Sequence, residues 1–141
     1  MVFLDRGGGG VAELAGGGSG AVVVLYSTDL MLLSSVSGAA AMLGLGFRSV
    51  RAVSEVVVHV GVPGLILCVD LASSVDLAEL SGVCGDAVLG RAIAFGPHVH
   101  VARLDAARAC GFGQVVSRGQ FAMQLTRLLA DRCGQGGSNL H

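Results

Sequence analysis

Two runs in this chain, residues 21–26 (AVVVLY) and 65–69 (LILCV), are apolar without interruption and rich in β-branched side chains. A strand with one face in water alternates apolar and polar residues. A strand that is apolar throughout has to be buried on both faces. A parallel sheet with helices on either side meets that condition, so these two runs constrain the fold more than any other feature.

The segments around them fit the same plan. Leu33, Val36, Ala40 and Leu43 step by three, four and three, which predicts a helix over residues 30–43 that Gly44 and Gly46 end. A weaker strand follows at 47–53. Ser54 is a candidate cap for a short helix containing Val56, Val57 and Val60, although this β-branched stretch reads equally as a strand. After the turn at Pro63-Gly64 comes the strand at 65–69, which Asp70 ends. Ser73 or Ser74 is the expected cap of a helix through Leu77, Leu80 and Val83, broken by Gly85 and Gly90. A fourth strand is expected at 91–95, a helix at 100–109 closed by Gly111, and a fifth strand at 114–117. The last helix is expected at 120–131, with Phe121, Leu125, Leu128 and Leu129 on one side.

Five βα units predict an α/β fold: a three-layer, doubly wound α/β/α sandwich on a five-stranded parallel sheet. Residues 1–20 hold Gly7–Gly10 and Gly16–Gly18 and read as a flexible tail. The folded domain is expected over 21–132, with a second flexible tail over 133–141.

Composition excludes several functions. Only 13% of the residues are charged, every one of the nine basic residues is Arg, and the net charge is −1. A general nucleic-acid surface needs clustered positive charge, so none is expected. Mean hydropathy is high at +0.73. The charge-free stretch at 30–47 is nevertheless short of the roughly 20 mostly apolar residues of a spanning helix, and Ser and Gly interrupt it. The first residues lack the basic start and apolar run of a signal peptide. No membrane association is expected. Cys68, Cys84, Cys110 and Cys133 have no metal-type spacing and read as free thiols of a reducing cytoplasm.

In sheets of this kind, ligands bind at the carboxyl ends of the strands. Asp29, Asp70, His98, His100, Arg103 and Arg118 are expected to gather there. One chemistry for such a set is a metal site from His98 and His100 with Asp70. Another is an anion site on Arg103, Arg118 and nearby helix N-termini. A plainer reading, and the preferred one, pairs Arg118 with Asp70 and closes the edge with a salt bridge. Ser27 and Thr28 read as helix caps rather than nucleophiles, because no GxSxG is present. His59 reads as a surface or half-buried helix residue. The run 103–108 (RLDAAR) reads as a solvated helix face.

Over residues 21–130 the order of elements resembles the response-regulator receiver domain, which implies the flavodoxin-like sheet order 2-1-3-4-5. The resemblance puts Asp70 in the place of the phospho-accepting Asp at the end of strand three. Other places depart from the family pattern. Tyr26 and Ser27 stand where receivers carry an acidic pair that holds Mg²⁺, with Asp29 slightly later. Gly96 replaces the Thr or Ser that ends strand four, and Arg118-Gly119 replaces Lys-Pro. The resemblance therefore implies a non-enzymatic, pseudo-receiver signalling or scaffold module without a cofactor. Its implied partner is another protein or a second copy, bound through the helix four, strand five and helix five face. Phe112, Phe121, Met123 and Leu125 are candidates for that surface, although Phe121 and Leu125 read more readily as core. One alternative is a divergent receiver phosphorylated on Asp70 with Mg²⁺. Another is a small anion- or metal-binding protein or enzyme using the edge of Ser27, Asp29, Gly96, His98, His100 and Arg118.

Overall fold

The computed structural model describes residues 21–138. The elements follow in the order β1 (Val22–Tyr26), α1 (Leu30–Met42), β2 (Gly46–Val50), α2 (Val53–Val57), β3 (Leu65–Asp70) and α3 (Leu77–Arg91). Then come β4 (Ile93–Gly96), α4 (Val101–Cys110), β5 (Gln114–Ser117), α5 (Arg118–Met123) and α6 (Leu125–Ser138). The strands form one five-stranded sheet in the order β2-β1-β3-β4-β5. Every pairing is parallel, so all strands end at the same edge.

The continuous apolar runs are the inner strands, as their composition requires. All six residues of β3 are buried. Alternate residues feed two cores. Val24, Tyr26, Leu65, Leu67 and Val69 pack with α2, α3 and α4 on one face. Val23, Leu25, Ile66, Cys68 and Phe95 pack with α1, α5 and α6 on the other. On that second face Phe95 and Phe121 stack with ring centroids 4.0 Å apart. Such a pair adds about 0.5–1.5 kcal/mol beyond the area it buries.

Local chemistry shifts several boundaries. β2 ends at Val50, and Arg91 belongs to α3 rather than to β4. The cap of α2 is Ala52, which makes no side-chain bond, and Ser54 lies inside the helix. The cap of α3 is Asp76, whose carboxylate accepts from the Glu79 N–H, rather than Ser73 or Ser74. Gly85 does break α3: at φ +79° and ψ 168° its backbone leaves the helical region, and a kink there divides the element into two helical segments. The expected last helix is two, because Gln124 interrupts it. Its backbone then stays helical to Ser138, where the sequence predicts a tail from residue 133. A clasp fastens this end. Arg132 Nε donates to the Arg91 carbonyl at 2.9 Å, its Nη2 donates to Gln114 Oε1 at 2.8 Å, and Arg91 Nη2 donates back to the Arg132 carbonyl at 3.3 Å. The expected tail at 1–20 lies outside the described residues, as do 139–141.

One glycine holds α3 against the start of β5. The Gly113 N–H donates to the Leu89 carbonyl at 2.8 Å. A Cβ on Gly113 would lie 2.0 Å from the Gly90 carbonyl oxygen, which is backbone and cannot swing away. Gly113→Ala is therefore expected to lower the stability measured by urea unfolding by about 2–3 kcal/mol. Gly82, inside α3 with nothing near its missing Cβ, behaves oppositely. Gly82→Ala is expected to raise stability by about 0.5–1 kcal/mol.

Candidate functional site at the strand ends

The candidate site lies where β1, β3, β4 and β5 stop. Parallel register places Tyr26 beside Val69, Asp70 beside Phe95 and Gly96 beside Ser117. Asp70 ends a fully buried strand and is itself only 4% exposed. A buried carboxylate needs donors. Its Oδ2 accepts from Ser27 Oγ at 2.8 Å, and its Oδ1 accepts from the Ala72 N–H at 3.0 Å. Ser27 is fully buried, and its hydroxyl also accepts from the Asp29 N–H at 3.1 Å. Ser27 therefore ties the end of β1 to the end of β3.

Asp29 performs two tasks. Its Oδ1 accepts from the N–H groups of Met31 at 2.9 Å and Leu32 at 3.2 Å, capping α1. The predicted caps, Ser27 and Thr28, give way to it. Its Oδ2 accepts from Arg118 Nη2 in a close ion pair. The same guanidinium reaches Asp70 more loosely, with Nη1 3.8 Å from Oδ2. Arg118 is the first residue of α5, where positive charge opposes the helix dipole. Its position is explained by the two carboxylates in front of it. Ser117 caps α5 in a reciprocal box with Gln120, which orients the helix start beneath Arg118. Sequence reasoning misses this box, although S-R-G-Q has its spacing.

The salt bridge expected between Arg118 and Asp70 is thus mainly one between Arg118 and Asp29, with Asp70 as a second, longer partner. Exposure of the Arg118 and Asp29 side chains is 36% and 33%, so water screens the pair, and such pairs contribute about 0–1 kcal/mol.

Other expected members stand elsewhere. Arg103 does not join the edge. Its Nε donates to the Leu71 carbonyl, and its Nη2 donates to the Ser73 and Val75 carbonyls, all at 3.2 Å. It pins the loop between β3 and α3. His98 and His100 are exposed, and His100 caps α4 without a side-chain bond. Among the described residues no three His, Cys, Asp or Glu side chains cluster as metal ligands. Gly96 packs tightly: a Cβ there would lie 3.1 Å from the Leu71 Cβ. The missing hydroxyl at this position thus goes with close strand-to-loop contact.

Several lesser expectations also resolve. Asp105 and Arg108 pair at 2.9 Å on an exposed face. His59 is half-buried, and burial, with Arg48 nearby, lowers its pKa. Burial pushes the Cys68 thiol up to about 12, so it is no nucleophile near neutral pH. Among the proposed surface residues only Met123 is exposed, while Phe112, Phe121 and Leu125 are buried.

The sequence matches no protein-family model and no curated protein. The fold matches solved structures. One is the receiver domain of a Francisella response regulator, at 8% identity and TM-score 0.65, covering 82% of this chain and 98% of that one. Another is a response-regulator receiver domain from Clostridium thermocellum, at 9% identity and TM-score 0.66, covering 83% and 97%. A third is the pilus assembly protein CpaE from Caulobacter crescentus, at 14% identity and TM-score 0.53, covering 78% and 91%. This chain has a receiver-like, flavodoxin-type fold. No helix among the described residues is long and apolar enough to cross a membrane.

The capping role gives Asp29 a pH signature. The Leu32 N–H bond is the largest influence, desolvation opposes it, and Arg118 with the Met31 N–H tips the balance, so the carboxyl is held below the ordinary value of 3.8. A depressed folded pKa contributes stability above the ordinary carboxylate range, and that contribution is lost as pH falls through the folded value. Urea midpoints are therefore expected to fall as pH drops below about 4. Asp29→Asn, which keeps a cap but no titrating charge, is expected to show a smaller fall over the same window.

Proposed function

We propose that this chain is a pseudo-receiver: a non-enzymatic signalling or scaffold module that acts by binding a protein partner in the cytoplasm. The observation that carries the reading is the position of Arg118, set against both Asp29 and Asp70 at the strand-end edge. A phosphorylatable receiver-like edge has to admit Mg²⁺ and a phosphoryl group beside the acceptor carboxylate. Here Arg118 Nη1 lies 3.8 Å from Asp70 Oδ2, Asp29 is paired with the same guanidinium, and both Asp70 oxygens already accept hydrogen bonds.

The donor set does not fit Mg²⁺ either. That ion demands near-octahedral oxygen ligands at about 2.0–2.1 Å. The end of β1 offers a buried Tyr26 and the already bonded Ser27 hydroxyl, and Asp29 is committed to α1 and Arg118. A cation would have to displace Arg118 first. Gly96 brings no hydroxyl to follow a phosphate.

The partner surface in this reading is the α4, β5 and α5 side, open to another protein or to a second copy. Val101 is exposed on α4, the exposed Val99 lies in the turn just before it, and β5 is an edge strand. Among the likenesses, a pilus assembly protein stands beside the response regulators, so the fold also occurs outside proteins named as regulators.

Asp70 favours a second reading, a divergent receiver, because it ends β3 with a backbone N–H at its carboxylate. Intact mass after incubation with acetyl phosphate and Mg²⁺ separates the two. The pseudo-receiver is expected to gain nothing. A gain of one phosphoryl group that Asp70→Asn removes would instead establish the divergent receiver.

A further inference from the structure

A groove of about 850 Å³ lies open between α1 and the junction of α5 with α6. Gly38, Ala39 and Met42 line it from α1, and Ala122, Met123 and Arg127 line it from the other side. Met42 is 82% exposed and Met123 86% exposed. Methionine side chains are flexible and polarisable and adapt to an apolar guest. Arg127 is exposed and has no carboxylate partner among the described residues. None of the strand-end residues line the groove.

The chain carries a segment with matching chemistry. Residues 1–4 are Met, Val, Phe and Leu, followed by Asp5 and then Arg6. The N-terminal segment joins the domain at Ala21, whose carbonyl accepts from the Gly46 N–H at 3.1 Å. Gly46 follows closely on Met42, so the segment enters at the Met42 end of the groove. Between Leu4 and Ala21 the chain can span roughly 55 Å at about 3.3 Å per residue. The stretch of α1 from Ser34 to Met42 is only about 12 Å long at 1.5 Å per residue. A segment joined to its own domain through so few residues meets it at an effective concentration on the order of millimolar, so a weak contact suffices.

We propose that residues 1–5 of this chain dock into this groove, with Phe3 and Leu4 between Met42 and Met123 and the Asp5 carboxylate beside Arg127. A second copy has the same apolar residues to offer but no tether, and the acid that complements Arg127 directly follows the apolar run.

The test uses the full chain with ¹³C-labelled methionine methyl groups. The Phe3 ring is expected to show NOEs to the Met42 and Met123 methyls. Phe3→Ser combined with Leu4→Ser is expected to move those two signals and leave Met31 in place. Gly38→Gln offers an independent check, because nothing lies within 4 Å of a Cβ there, so the fold is kept while the groove is filled. It is expected to remove the same NOEs. Absence of the NOEs together with unmoved Met42 and Met123 signals overturns the proposal. So do NOEs that arise only between differently labelled copies, which would make a second chain the occupant.

Discussion

Burial of β3 on both faces is the constraint from which the rest of this structure follows. Each of its six residues is buried, and alternate side chains feed the two cores. Such a strand has no place for charge along its length. Its one charged residue, Asp70, stands at the very end, and burial there demands that the carboxylate be met by donors. Ser27 from the end of β1 and the Ala72 N–H from the following loop supply them. A packing requirement at the centre of the sheet thus sets the chemistry of its edge.

The edge is a chain of dependent contacts. Ser27 bonds Asp70 and receives the Asp29 N–H, Asp29 caps α1 and holds Arg118, and Arg118 reaches back towards Asp70. No single member is strong, since the Arg118–Asp29 pair is screened by water. Their shared effect is to join the loops after β1, β3 and β5. An arrangement that satisfies its own charges has little left to offer a metal or a phosphoryl group. That is the physical content of the pseudo-receiver reading.

Much of this architecture is legible in the sequence, and the reasons differ by element. The inner strands announce themselves because burial on both faces leaves no polar residue in AVVVLY or LILCV. Right-handed crossovers fix the hand of each βα unit, while the strand order comes from the receiver resemblance, and Asp70 stands out because it ends such a run. Caps are harder. Ser27, Thr28 and Asp29 are all good capping residues, and so are Ser73, Ser74 and Asp76. Choosing among neighbours depends on backbone geometry that composition does not carry. Arg103 and Arg118 look alike in the sequence. Only tertiary structure sends the first to loop carbonyls and the second to two carboxylates. The helical extension to Ser138 runs through a Gly-rich stretch whose propensity argues for a tail. The Arg132 clasp anchors the helix just before that stretch.

The central claim is that Arg118 and its partners close the strand-end edge to a phosphoryl group and its metal. The most direct measurement is an amide NMR titration of the full chain with beryllofluoride in the presence of Mg²⁺. This mixture mimics an acyl phosphate without covalent chemistry. The closed edge predicts that the Ser27, Asp29 and Ala72 signals stay unmoved at millimolar ligand. A saturable shift of those three signals would contradict it and make the edge a working acceptor site.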